Sequence, residues 1–295
     1  MRLSVVIGWV NDYRWLAPGL EALADQTGPQ PDEIIVATRH DLSQCDRFRA
    51  RHPGVTLLAG SPQDSIPTLR AMALERATGD VVAVTEDHCV PDRRWTEALL
   101  RRIDAGARVV GGPIENDCDT RRRDQAAFLC EYGWAIGPGD AGPVDALPGN
   151  NVAYTRDLVG GLRETLASER WESFYHDALR RGGVKLDYEP AMVMRHRRSF
   201  DAGYFCGQRF HFGRSFAHMR NQGWGLFRRL LYGGGCVLLP AILWWRGLSA
   251  LRRKRRYVAR YLALTPLIVV YLCAGALGEW TGYVFGGGNS LERVQ

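Results

Sequence analysis

The stretch VAVTEDHCVPDRRW, Val82 to Trp95, runs from an apolar, β-branched segment straight into Glu86, Asp87 and His88, and Pro91 closes it behind them. Four residues of strand character followed by three ionisable side chains read as a buried strand that ends at a chemical site. Upstream, Leu3–Ile7 and DEIIVAT (32–38) have the same strand character, with a helical pattern at Leu16, Leu20 and Leu23 between them. VTLLA (55–59) is a third strand, and SIPTLRAMALERA (65–77) is a helix that leads through Gly79 into the strand before Glu86. Strands that alternate with helices and are apolar on both faces describe a mostly parallel sheet covered on each side, an α/β fold. Such sheets bind ligands beyond the carboxyl ends of their strands, which is where Glu86, Asp87 and His88 fall.

Further along, ARVVGGPIEN (107–116) reads as one strand that ends in a Gly-Gly-Pro turn, and Arg121–Trp134 as a helix or mobile loop. GPGDAGPVDALPG is loop-rich and gives way to a strand at Asn151–Tyr154. Residues 168–199 read as a helix carrying Glu172 and stopped at Gly182-Gly183, a strand toward Pro190, and a last stretch ending at His196. A strand-end carboxylate and imidazole are ordinary ligands for Mn²⁺ or a similar cation. In an extended segment Glu86 and His88 face the same way and Asp87 the other. A solvated acidic cap at a strand end is the alternative reading of the same triplet.

The chain has 295 residues, 46% of them hydrophobic, so it carries a substantial core and is not a disordered protein. Lys and Arg number 38 against 32 Asp and Glu, and much of the Arg lies beyond residue 195. That asymmetry points to an anionic partner for the C-terminal part, phospholipid rather than nucleic acid. The 7 cysteines stand singly, with no CxxC pair, which suits a reducing compartment. The N-terminus has too short an apolar stretch for a secretory signal, so the first domain is expected in the cytoplasm. No zinc spacing, Walker loop or nucleophile elbow is present.

After about residue 225 the composition changes. Leu226–Trp245 and Tyr261–Phe285 are strongly apolar and approach the roughly 20 residues of a membrane span. Between them lies the basic block RGLSALRRKRRYVAR, which suits phospholipid headgroups. Two straight spans would put that block on the outer face, against the positive-inside tendency. Pro240, Pro266 and Gly233–Gly235 favour broken, re-entrant or interfacial segments, and monotopic attachment is the expectation. A pair of buried core helices is the alternative.

Taken together and in order, LSVVIGWVND, EIIVAT, LERATGDVVAVTEDHCVPDRRW, VVGGPI, LPGNNVAYTRD and WESFYHDALRRGGVKLDYEPAMVMRH resemble family 2 glycosyltransferases of the GT-A fold. The resemblance covers about residues 1–200, and implies a nucleotide-binding half over 1–106 and an acceptor half over 107–200. An amphipathic linker (201–225) and a membrane-associated helical region (226–295) would follow. In that family a D-x-D turn holds the cation that bridges the donor's diphosphate. Here the turn has an E-x-H form, similar to the D-x-H-C turn of polypeptide N-acetylgalactosaminyltransferases, in which a distant histidine completes the metal site. The resemblance therefore assigns Glu86, His88 and His196 to a divalent cation, Mn²⁺ or Mg²⁺, and Asp87 to the ribose or metal edge. His196 also reads as one member of the basic cluster Arg195–Arg198.

The family's general base matches Glu172, ahead of the helix-ending Gly182-Gly183, with Asp177 a competing carboxylate five residues on. A helix N-terminal carboxylate is the plainer reading of Glu172. Asn150 and Asn151, after Gly149, match a turn that approaches donor or acceptor, and Gly111 and Gly112 have a similar standing. Two departures leave the nucleotide open. The first strand ends Gly8-Trp9-Val10-Asn11-Asp12 in place of Pro-x-Tyr-Asn, and Ala37-Thr38-Arg39 replaces an acidic pair. Asn11 and Asp12 are the candidates for base contact, with a UDP-sugar as the default donor. GQRFHFGRSFAHMR (207–220) loosely resembles the Q-x-x-R-W segment of processive relatives, and an amphipathic surface helix explains it equally. The resemblance implies an inverting, metal-dependent transferase on the cytoplasmic face of the membrane, acting on a lipid-linked or cell-envelope glycan. A nucleotidyltransferase and an inactive sugar-nucleotide-binding scaffold are the rival readings.

Overall fold

The computed structural model describes residues 1–117 and 121–295. Its first unit, 1–117 with 137–197, carries the alternating strands and helices expected from the sequence. Strand β1 (Leu3–Trp9) is buried along its whole length. Asp12 caps helix α1 (Tyr13–Ala24) by accepting from the Arg14 amide. Strand β2 (Glu33–Thr38), helix α2 (Leu42–Arg51) and strand β3 (Thr56–Ala59) follow. Helix α3 (Ile66–Arg76) starts at Ser65, whose hydroxyl accepts from the Thr68 amide, a cap worth about 1 kcal/mol. Strand β4 (Val81–Glu86) then enters the sheet beside β1, and short β5 (Cys89–Pro91) leaves it.

Helix α4 (Trp95–Asp104) leads to β6 (Val109–Gly111) and β7 (Ile114–Asn116), and helix α5 (Arg122–Tyr132) comes next. The unit closes with β8 (Gly142–Val144), β9 (Asn151–Thr155), α6 (Arg156–Ala167), α7 (Glu172–Arg181), β10 (Leu186–Tyr188) and β11 (Met194–His196). Eight strands form one sheet in the order β3-β2-β1-β4-β9-β6-β10-β8, with β9 antiparallel to both of its neighbours. Strand order runs outward from β1 to β3 and then returns to β4 on the other side of β1. The crevice at the carboxyl ends of β1 and β4, where Gly8 pairs with Glu86, is therefore the switch point of the sheet.

A second sheet, β5-β11-β7, sits at that same end. Its presence corrects the reading of 107–116 as one strand. The chain bends at Gly112-Pro113, so that β6 stays in the large sheet and β7 joins the small one. Helices α2, α4 and α6 and the short strand β8 were not read from the sequence.

The second unit groups 121–136 with 198–295, so α5 belongs with the C-terminal helices and not with the acceptor half in which the sequence placed it. The segment read as an amphipathic linker contains α8 (Ala202–Arg220), capped by Asp201 and packed along a later helix. Helix α9 (Leu226–Gly235), a 3₁₀ turn (Cys236–Leu238) and α10 (Leu239–Lys254) form a continuous helical run of 29 residues. The 3₁₀ turn falls between Gly233–Gly235 and Pro240, where the sequence suggested a broken segment, but the run stays helical through it. Helix α11 (Val258–Ala263) and helix α12 (Thr265–Phe285) complete the chain's α elements. Helices α8 and α12 approach so closely that a Cβ on Gly278 would lie 2.1 Å from the Phe210 carbonyl oxygen, and one on Gly282 would lie 2.3 Å from that of Arg214. By length and composition, 226–254 and 265–285 are both apolar enough to cross a membrane.

Candidate active site

Strand β4 delivers Glu86 to the switch point, and the chain then turns tightly through Asp87 and His88 into β5. Although the extended conformation stops at Glu86, the side chains of Glu86 and His88 still meet while Asp87 turns toward the end of β1. Asp87 is buried, and its Oδ2 accepts from the amides of Val10 and Asn11, both at 2.8 Å. Its Oδ1 accepts from Asn11 Nδ2 at 2.8 Å and lies 2.9 Å from His88 Nδ1. The second carboxylate thus ties the end of β1 to the turn and fixes the orientation of the His88 ring.

With Nδ1 held by Asp87, Nε2 of His88 points at Glu86 Oε2, 3.2 Å away. Strand β11 brings in His196 from 108 residues further along by pairing it with Cys89 in antiparallel register. The rings of His88 and His196 stand edge to face with centroids 4.6 Å apart. Cys89, which the sequence reading left without a role, lies in the same cluster. Glu86, His88 and Cys89 offer ligand atoms that all lie within 4.8 Å of one another. Asn150 Nδ2 donates to Glu86 Oε2 at 3.2 Å and to Cys89 Sγ at 3.5 Å.

The other missed residue is Arg70, on the buried face of α3. Its guanidinium donates to Glu86 Oε1 at 2.9 Å through one nitrogen and to Glu172 Oε1 at 2.6 Å through the other. An arginine in register with Ile66, Leu69, Ala73 and Leu74, on the apolar face of a helix, was the available signal. Glu172 begins α7 and is 2% exposed. Gly149 makes room for it, since a Cβ there would come within 2.9 Å of Glu172 Oε2. Asp177 instead faces outward and pairs with Arg180.

These contacts set the charges. Burial opposes ionisation of Glu86, but the bond with His88 and the charge of Arg70 hold its carboxyl well below the usual range. Asp87 is likewise held low against burial by His88, Asn11 and the Val10 amide. Burial alone would discharge His88, yet the two flanking carboxylates push its pKa up to about 9. Glu172 differs, because burial outweighs Arg70 and raises its pKa. One guanidinium therefore serves two carboxylates of opposite tendency.

The donor set fits a divalent cation on these grounds. Glu86 Oε2 and His88 Nε2 lie 3.2 Å apart, near enough for one cation to touch both, and carboxylate with imidazole is an ordinary donor pair for such an ion. The Asp87–His88 contact reproduces the carboxylate–histidine pairing that orients metal-bound imidazoles.

Other expected site residues are placed differently. Asn151 is fully buried, with Oδ1 accepting from Trp95 Nε1 and Nδ2 donating to the carbonyls of Pro113 and Met192. A Cβ on Gly111 would meet the Asn151 carbonyl oxygen at 2.7 Å, and one on Gly112 would meet that of Met192 at 2.0 Å, so both glycines serve close backbone packing. Asn11 is engaged with Asp87, and Asp12 caps α1.

Comparison with known proteins places these features among relatives. A family model described as glycosyl transferase family 2 matches residues 4–160. The glucosyl-dolichyl phosphate glucuronosyltransferase of Haloferax volcanii is 26% identical over an alignment of 177 residues that covers 55% of this chain and 56% of that protein. The chain thus spans only about half the length of this curated relative. Among solved structures, the mannosyltransferase PcManGT of Pyrobaculum calidifontis, in complex with GDP-Man and Mn²⁺, superposes with a TM-score of 0.56 at 18% identity, covering 94% of this chain and 86% of its own. GalNAc-T7 with UDP, GalNAc and Mn²⁺ superposes with a TM-score of 0.50 at 14% identity, over 68% of this chain and 44% of its own. At these identities the structural likeness is one of fold.

Proposed function

The chain belongs to glycosyl transferase family 2 and is a glycosyltransferase of the GT-A type, and from that premise we propose the following reaction. It transfers a sugar from a nucleotide-sugar, with inversion, to a hydroxyl of a lipid-linked or envelope glycan. The observation that carries the proposal is the convergence of Glu86 and His88 from β4 and its turn, His196 from β11 and Glu172 from α7 on the end of β4, with Arg70 bonded to both carboxylates.

In this reading Glu86, His88 and His196 hold a divalent cation, Mn²⁺ or Mg²⁺, and Asp87 orients His88. Bound there, the cation neutralises charge on the departing nucleoside diphosphate. Glu172 takes the proton of the acceptor hydroxyl, and a pKa raised by burial suits a general base better than an ordinary carboxylate does. Asn150, whose amide already reaches Glu86, is the strongest of the proposed donor contacts. Asn11, Asp12, Gly111, Gly112 and Asn151 shape the donor site through the backbone they hold. UDP and GDP sugars are the donors to try first, since the superposing structures hold UDP in one case and GDP-Man in the other.

The acceptor reading rests on the dolichyl phosphate named for the curated relative and on the exposed apolar helices of the second unit. Attachment to the cytoplasmic face of a membrane belongs to the same reading. The test is a panel of UDP- and GDP-sugars, with and without Mn²⁺, read by thermal shift and by nucleotide release. One donor should raise the melting temperature only when Mn²⁺ is present. Glu172→Gln should bind that donor as tightly as the wild type while transfer falls at least about a hundredfold. Normal turnover by that variant would remove Glu172 from the reaction.

A further inference from the structure

Cys89 is buried directly beyond the turn that carries Glu86 and His88, and the family resemblance assigns it nothing. Three features aim its sulfur at the cation site. Its Sγ shares a 4.8 Å cluster with ligand atoms of Glu86 and His88. Asn150 Nδ2 bonds to Cys89 Sγ and to Glu86 Oε2 at once, so the sulfur presents an acceptor lone pair to the region that the carboxylate faces. Pairing of β5 with β11 holds Cys89 opposite His196, whose ring lies against that of His88.

We propose that Cys89 is a direct donor to the divalent cation bound at Glu86 and His88, which gives this site a preference for softer dications over Mg²⁺. Thiolate and imidazole select cobalt, zinc or cadmium, whereas all-oxygen sets suit magnesium. When the cation binds, the thiol proton leaves to solvent and the sulfur lone pair forms the new bond, with no change of oxidation state. This inference rests on the metal-site reading given above.

The test uses the full chain and the metal alone. Co²⁺ added to the wild type should produce both the visible bands of protein-bound cobalt and a near-ultraviolet thiolate-to-cobalt charge-transfer band. Cys89→Ser and Cys89→Ala should keep the visible bands and lose the charge-transfer band. The ratio of Cd²⁺ to Mg²⁺ affinity, measured by calorimetry, should fall at least about tenfold in both variants. Cobalt bound to the wild type without the charge-transfer band overturns the role of Cys89 and leaves the metal site standing, whether or not the variants fold. A band that persists in both variants comes from another cysteine and overturns the role equally. If the wild type binds none of Co²⁺, Cd²⁺, Mn²⁺ and Mg²⁺, the metal-site reading falls and this inference falls with it.

Discussion

Arg70 carries more of the site than any single carboxylate, because one buried guanidinium answers both Glu86 and Glu172. Removing one partner of a buried ion pair leaves an uncompensated charge and costs roughly 3–5 kcal/mol. Arg70→Met should therefore lower the unfolding free energy by about that amount in urea titrations, and adding Glu172→Gln should recover part of the loss. Arg70→Lys, with a single ammonium in place of the fork, should be intermediate in stability. Equal stability of the wild type, Arg70→Met and Arg70→Lys would mean that the guanidinium contributes nothing net.

His176 supplies a pH test away from the cation site. It is buried against Tyr154, with its Nε2 2.6 Å from the phenol oxygen, and burial lowers its pKa to about 4 from an ordinary 6.5. The unfolded chain then takes up a proton that the folded one refuses. Its contribution to stability is complete above pH 6.5 and is lost progressively down to about pH 4, on the order of 3 kcal/mol in all. His176→Gln, which retains a hydrogen-bonding side chain, should flatten the melting temperature across that window. A wild-type profile no steeper than the variant's would contradict the burial argument.

Among the elements, the outcome turns on close backbone approach. Gly112 lets the chain bend from β6 into β7 beneath the Met192 carbonyl, and the small sheet that holds His196 depends on that bend. Gly112→Ala should cost at least about 2 kcal/mol, since backbone rather than a yielding side chain stands in the way. If Gly112 serves packing, the drop in melting temperature should be the same with and without a bound nucleotide. A loss confined to the nucleotide-bound protein would return Gly112 to the donor site. The alternating β-α pattern and the strand-end position of Glu86 were readable because hydrophobic period and turn residues are local properties. Helix α2 carries a weak apolar pattern interrupted by charge, whereas the buried faces of α4 (Trp95, Ala98, Leu99, Ile103) and α6 (Leu158, Val159, Leu162, Leu166) have regular helical spacing that the sequence reading passed over.

For the whole molecule, the second unit presents Leu226, Phe227, Leu230, Leu231, Val237 and Leu238 to solvent, and carries Arg252, Arg253, Lys254, Arg255 and Arg256 at the far end of α10. Vesicles containing about a third anionic phospholipid should retain the protein in flotation, and neutral vesicles should retain much less. Each basic residue near such a surface contributes about 1 kcal/mol at low salt. Phe227→Gln with Leu231→Gln should weaken retention on both kinds of vesicle, whereas substituting Arg252, Arg253 and Lys254 by Gln should remove only the preference for anionic lipid. Equal retention of all variants would mean that this face does not meet the bilayer.

The alternation of the first strands with α1 and α3, the carboxylate and imidazole at the end of β4, a helix carrying Glu172 and the two long apolar stretches all follow from local pattern, which a linear reading can trace. The rest required chain segments distant in sequence to meet. Strand pairing set His196 beside His88, the α3 face delivered Arg70 to two carboxylates, and Asn150 linked Glu86 to Cys89. Asp87, Gly112 and Asn151 were recognisable as special positions, but their partners are backbone groups whose location only the folded sheets define. Side-chain chemistry is written residue by residue, whereas which groups share one buried pocket follows from strand register and crossover, and these are properties of the folded chain.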